Sequence, residues 1–169
     1  MERAVSQAVE SMCRLLPTKA INKTDFEPVR KLPIFLSIET KRPGKSEKEA
    51  ELQVGICLTA QWKLLQKLTS ISQGVEEADP LGLTPLPGLG FLPAIIIVGH
   101  EWKFSALTVE GNKAFFWTEC PIGSTSSLVG IYRIIWGLRK FARYGIKEYW
   151  PWVLREALGL DESATVPST

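Results

Sequence analysis

Histidine is almost missing from this chain. His100 is the only one in 169 residues, so a multi-histidine metal centre is excluded and any His-dependent site has a single imidazole to work with. Cysteine is scarce too. Cys13, Cys57 and Cys120 are widely spaced and odd in number, which fits neither a disulfide framework nor a zinc site. Buried thiols are expected instead. There is no run of about 18 apolar residues, so no transmembrane helix and no membrane partner is expected. The opening "MERAVSQAVESMCRLL" interrupts its apolar pattern with charge and is no signal peptide. An intracellular, cytoplasmic location is the expectation, or a nuclear one if the chain acts on DNA. A strong charge excess is also lacking, since 20 Lys+Arg stand against 18 Asp+Glu for a net +2. Proteins that grip long DNA usually carry a more concentrated basic face. Here "KRPGK" and "RKFAR" are only loose gatherings. No G-x-S-x-G string and no Gly-Lys-Thr phosphate loop occurs, so serine-hydrolase and P-loop chemistry lack support.

What is present is an ordinary globular composition with 45% hydrophobic residues and six Trp, enough for one domain with a real core. A single domain over 1–160 and a polar tail over 161–169 are expected. Apolar residues at helical spacing predict a helix over 2–16, stopped by Pro17. Residues 33–41 predict a buried strand ended by Pro43-Gly44. Ser46 opens a helix to about residue 70, with Ser46 as N-cap and Glu49 completing a capping box. Leu52, Ile56, Leu64, Leu65 and Leu68 are its expected core positions. "DPLGLTPLPGLGFLP" (79–93) can be neither helix nor central strand, and its apolar character predicts a packed loop more than a lid. "AIIIVG" (94–99) predicts a central strand. "WKFSALTV" and "KAFFWTE" around "EGN" predict a hairpin. Helices are expected over 128–144 and over "YWPWVLREAL". The order gives an α/β (α+β mixed) class with a central mixed sheet of about four strands flanked by helices.

Within this frame, side-chain alternation puts Glu39 and Lys41 on one face of their strand, opposite Ile34, Leu36 and Ile38. Gln53, Cys57 and Gln61, spaced four apart, form a stripe of mostly polar character on the following helix. His100, Glu101 and Trp102 follow the central strand. His100 is a general-base candidate if it faces the Glu39 pocket, and a hydrogen-bonded structural histidine otherwise. Of Gln61 and Trp62, one can reach the pocket while the other packs. Tyr149, Trp150 and Trp152 read as a core cluster more readily than as a base-stacking platform.

Four strings in order, "PIFLSIETKRPG", "EAELQVGICLTAQW", "GHEWKF" and "GSTSSLVGIYRIIWGLRKFARYGIKEYWPW", resemble the fungal PD-(D/E)XK nuclease-like domain family from about Asn22 to Leu154. The resemblance implies a restriction-endonuclease-like core. It places a metal-binding carboxylate on Glu39, the lysine beside the attacking water on Lys41, and a helix glutamine on Gln53. Exonuclease-like branches add a tyrosine four residues after that glutamine; Cys57 stands there instead. The superfamily also needs an aspartate on a preceding strand. The chain is expected to begin too late to include that strand, as a shortened member would. Asp25 is the only substitute, and "INKTDFEPVR" is a poor strand.

Three functions follow. The favoured one is a degenerate scaffold that binds a small, largely apolar molecule and converts it by metal-independent cyclisation or isomerisation. Its catalytic groups would be Glu39, Lys41 and Gln53, with Gln61, Cys57, His100 and Trp102 lining the substrate. No cofactor is then needed. The alternative is Mg²⁺-dependent hydrolysis of DNA through Glu39, Lys41 and Gln53, with Glu39 and Asp25 as metal ligands. The third is a non-catalytic interaction module. All three leave a homo-oligomer open.

Overall fold

A computed structural model describes residues 2–24, 26–44, 46–75 and 82–160. The expectations for Asp25 and for the tail from Asp161 lie outside the described residues. Helix α1 (Glu2–Leu15) leads into a turn-rich segment, and then come β1 (Ser37–Lys41), α2 (Glu47–Gln73), β2 (Leu92–Val98), β3 (Glu101–Glu110), β4 (Lys113–Ser124) and α3 (Leu128–Tyr144). The sheet order is β1-β2-β3-β4. β1 runs parallel to β2, and β2, β3 and β4 are antiparallel neighbours. This is the expected mixed four-stranded sheet between helices, consistent with a restriction-endonuclease-like core.

The register assigns the two faces. Glu39 pairs with Ile96 and Ile96 with Lys103, so these three point to one side; Lys41, Val98 and Glu101 follow on the same side. That side carries the main core, where Leu92, Ala94, Ile96 and Leu107 meet Ala50, Val54, Leu58, Trp62 and Leu65 of α2. Thr40, Ile97 and Trp102 point to the other side. There α3 lies across the sheet, with the Phe141 ring tilted against that of Phe104 at 5.4 Å between centroids.

Several expectations need correction. β1 begins at Ser37, not at Pro33, because Ile34 spends its carbonyl on the Gln61 amide and the Tyr149 hydroxyl instead of on a strand ladder. It is also an edge strand, and Ile38 is 51% exposed. On α2, Leu52 and Ile56 are exposed; Ala50, Val54, Leu58 and Trp62 are buried in their place. The helix is apolar on more than one side, and the small Ala50 lets it approach the sheet by that flank. Cys120 is exposed on β4, while Cys13 is buried and Cys57 half-buried.

The two C-terminal helices merge into one. After α3 come a π-helical turn (Gly145–Tyr149), a short α stretch α4 (Trp150–Trp152) and a second π turn (Val153–Ala157). Pro151 has no N–H, and its ring would press on the carbonyl four residues back in a regular helix. The wide turn resolves this: the Trp150 N–H reaches five residues back to the Gly145 carbonyl. The Pro/Gly connection packs on the body over 82–91 as expected, but its last two residues, Leu92 and Pro93, open β2 instead of ending the loop. Trp62 and Trp152 donate their indole N–H groups to the Thr84 and Pro87 carbonyls at 2.9 and 2.8 Å. Among the described residues, no helix is long and apolar enough to cross a membrane.

Candidate functional site

The site is built where β1 ends and α2 begins. Pro43-Gly44 reverses the chain, with Gly44 at φ +79°. Gly99, also left-handed, packs so close to Pro43 that a Cβ there would lie 2.9 Å from its ring, and the Gly99 N–H holds the Lys41 carbonyl at 3.0 Å. Ser46 then caps α2 by accepting from the Glu49 N–H. These contacts fix the end of β1 against the first turns of the helix.

Four side chains converge there. The Lys41 ammonium lies 2.8 Å from the Gln53 amide oxygen, 3.2 Å from a Glu39 oxygen and 3.7 Å from a Glu49 oxygen. The Gln53 amide N–H in turn donates to Glu49 at 3.5 Å. The Lys41 side chain retains 17% exposure, Glu39 30% and Glu49 55%, so solvent reaches the carboxylates more than the cation they surround. Beside them, Lys103 of β3 binds Glu47 of α2, a contact that raises the Lys103 pKa above its ordinary value. Lys23 donates to Ser37 at the start of β1.

Glu49 went unread in the sequence because the capping box absorbed it. Its carboxylate turns to Lys41 and Gln53. The signal was its place four residues before Gln53, which puts the two on one helix flank.

The other candidates sit elsewhere. Gln61 is buried on the same stripe as Gln53, but its amide N–H groups serve the Ile34 carbonyl and the Tyr149 hydroxyl. Its carbonyl oxygen is buried without a hydrogen-bond partner among the described residues. Burial pushes the Tyr149 phenol up to about 12, against the lowering effect of its bond to Gln61. Cys57 lies half-buried between the two glutamines. His100 occupies the β2–β3 turn, where its Nδ1 pairs with Thr125 Oγ1 at 2.8 Å and its carbonyl accepts from the Thr125 N–H. Trp102 lies across the sheet from Glu39 and Lys41. Tyr149 and Trp152 are core residues. A groove of about 810 Å³ runs along the opposite flank of α2, between Leu52, Ile56 and Phe116 of β4, and does not include Glu39 or Lys41.

A mixed sheet with a helix across one face, presenting Glu-x-Lys at a strand end and glutamine on the next helix, defines a nuclease-like fold. The family model for the PD-(D/E)XK nuclease superfamily matches residues 1–150, and the chain belongs to that superfamily. No curated protein and no solved structure matches it.

Among the described residues, no group of three or more His, Cys, Asp or Glu side chains could hold a metal ion. The cluster offers two carboxylates, on Glu39 and Glu49, at one cation. Mg²⁺ is commonly held through one or two carboxylates, with water and substrate phosphate supplying the rest. The donor set fits an ion of that kind arriving with a phosphate.

Proposed function

We propose that the cluster at the end of β1 is a phosphodiester-hydrolysing site acting on nucleic acid. The observation that supports this most is the convergence of the Glu39 and Glu49 carboxylates and the Gln53 amide on one strand-end ammonium. A bound divalent cation would lower the pKa of water and offset charge building on the phosphate oxygens. The chain's own groups do the rest. Glu39 and Glu49 are the residues whose carboxylates would hold such a cation. Lys41, held by Gln53, would donate to a phosphate oxygen. Both Lys41 and Glu39 ride on a strand paired to the central β2, which limits their freedom and preorganises the pair.

Supercoiled-plasmid nicking with Mg²⁺ and Mn²⁺ tests this. The wild type is expected to nick, and Glu39→Ala and Lys41→Ala to lose at least ~100-fold in rate. A folded wild type that cleaves neither DNA nor RNA with either metal would sink the proposal.

A second reading is metal-independent cyclisation or isomerisation of a small, largely apolar molecule, with the chain's nuclease ancestry retained only in its fold. The apolar groove beside Leu52, Ile56 and Phe116 favours it. Under this reading the groove, not the Glu39–Lys41 cluster, holds the molecule. A fluorescent apolar probe displaced by Ile56→Asp but indifferent to Lys41→Ala is the expected result.

A further inference from the structure

A second basic feature shares no residue with the β1–α2 cluster. A cavity of about 290 Å³ opens between the end of α1 and the turns that follow it, lined by Glu10, Cys13, Arg14, Lys19, Arg30 and Lys31. Four of those six residues are cations. Glu10 pairs with Lys31 at 3.3 Å, and Glu27, outside the lining, meets the Arg30 Nε at 2.7 Å. The Arg14 and Lys19 side chains have no ion pair or hydrogen bond among the described residues. The walls are held in place. Glu10 and Arg14 stand four apart on one flank of α1. The buried Asn22 amide donates to the Val29 and Leu32 carbonyls at 3.0 Å each, and the Ile21 N–H donates to the Arg30 carbonyl at 2.9 Å. These bonds clamp the stretch after Lys19 to the turn that carries Arg30 and Lys31. Lys19 itself has φ +52°. Its N–H closes a turn on the Leu16 carbonyl at 3.0 Å, and the next two residues, Ala20 and Ile21, are buried. Glycine adopts the left-handed conformation freely, whereas lysine does so at a cost. The turn accounts for the conformation but not for the lysine.

We propose that this cavity binds the phosphate group of a small phosphate monoester, with Arg14 and Lys19 as its free cations and Arg30 and Lys31 completing the wall. Charge supports this ligand. Four cations less the two carboxylates of Glu10 and Glu27 leave two positive charges, and a phosphate monoester carries about −1.5 to −2 at neutral pH. The C-terminal end of α1 opposes an anion with only about half a negative charge. Arginine forks match phosphate oxygens, and lysine adds a point charge with rotatable donors. Size supports it as well. The cavity lies near the lower end of the ~300–1,000 Å³ that small-molecule sites occupy, which leaves room for the group that carries the phosphate. Lys19 in a left-handed turn then has a reason: stability is given up to place an ammonium at the ligand, as strained residues at binding sites do. None of this depends on hydrolysis of nucleic acid at Glu39 and Lys41.

Thermal melts of the full chain with inorganic phosphate or glycerol 3-phosphate at about 10 mM, against sodium chloride of equal ionic strength, are the test. With a Kd of about 1 mM or below, the wild type is expected to melt about 3–5 °C higher in either phosphate than in chloride. Arg14→Gln is expected to weaken binding about tenfold, the usual worth of a hydrogen bond to a charged group. Lys19→Gly carries the sharper readout. It is expected to raise the ligand-free melting temperature by about 2–4 °C, because the left-handed strain is relieved, and yet to lose most of the response to phosphate. Lys41→Ala is expected to keep the full response. Three results overturn the assignment: a wild type that responds to phosphate no more than to chloride, a response that neither Arg14→Gln nor Lys19→Gly reduces, and a response that Lys41→Ala abolishes. The last would place the phosphate in the Glu39–Lys41 cluster instead.

Discussion

The Lys41 ammonium and the Gln53 amide oxygen, twelve residues apart on β1 and α2, meet at 2.8 Å. That contact makes one unit of the strand-end cation and the helix. It also leaves Glu39 and Glu49 as the flanking acceptors. Lys41→Met should therefore cost little stability, about 1 kcal/mol or less, because these ion pairs are partly solvated. Paired with Gln53→Ala in a double-mutant cycle, it should show a coupling of about 0.5–1 kcal/mol. Chemical denaturation of the four proteins reads both quantities. A coupling of zero would mean that the contact does not persist in solution.

How far the site was legible in the sequence follows from such pairs. Glu39 and Lys41 sharing a face needed only the two-residue period of a strand. Ser46 as a helix cap and "EGN" as a hairpin turn needed only local chemistry. Trp102 could not be assigned to a face in that way. Its side depends on pairing Ile97 with Trp102 across an antiparallel register that no local signal sets. Leu52 and Ile56 failed for a related reason: α2 carries apolar residues on two flanks, and only the docking of Ala50 and Val54 decides which flank is inside. The merging of the last two helices hid behind Pro151, which ordinarily marks a helix start and here sits between two wide turns.

Alkaline pH should expose the buried Tyr149. Its phenol is pushed from 10.0 up to about 12 by burial, and Tyr144 is raised in the same direction for the same cause. The folded state thus holds these protons more tightly than the unfolded state. Their contribution is complete below pH 10.0, the unfolded value, and is lost as pH rises from there through about 12. Tyr149→Phe should reduce the steepness of that decline. At neutral pH it should cost about 1 kcal/mol for the lost bond to the Ile34 carbonyl. Urea denaturation at pH 7 and pH 11 measures both; an unchanged slope for the variant would contradict the assignment.

Two indoles hold the Pro/Gly connection against the body. Trp152→Phe keeps most of the apolar ring but removes the donor that binds the Pro87 carbonyl. The loss should be about 1 kcal/mol, the usual net worth of one hydrogen bond, since water can reach the freed carbonyl of the exposed Pro87. Limited proteolysis should then cut within residues 82–91 sooner than in the wild type. Equal cleavage rates would mean that Trp62 and the remaining packing suffice to hold the loop.

The glycines of α2 and α3 give a graded test of helix docking. In an exposed helix, Gly→Ala gains up to about 1 kcal/mol from backbone entropy. At Gly130 that gain is overwhelmed. A Cβ would lie 2.0 Å from the Ser124 carbonyl oxygen, and the contact is backbone against backbone, so α3 would have to lift from β4. A loss of more than about 3 kcal/mol is expected there. At Gly137 the neighbour is the Ile122 side chain at 3.0 Å, which can rotate away in part. At Gly55 the nearest atom is a Phe116 ring carbon at 3.8 Å, ordinary contact, so Gly55→Ala should be neutral or stabilising. Melting temperatures should rank Gly55→Ala above Gly137→Ala and both above Gly130→Ala. A Gly130→Ala protein as stable as the wild type would show that α3 does not sit this close to β4 in solution.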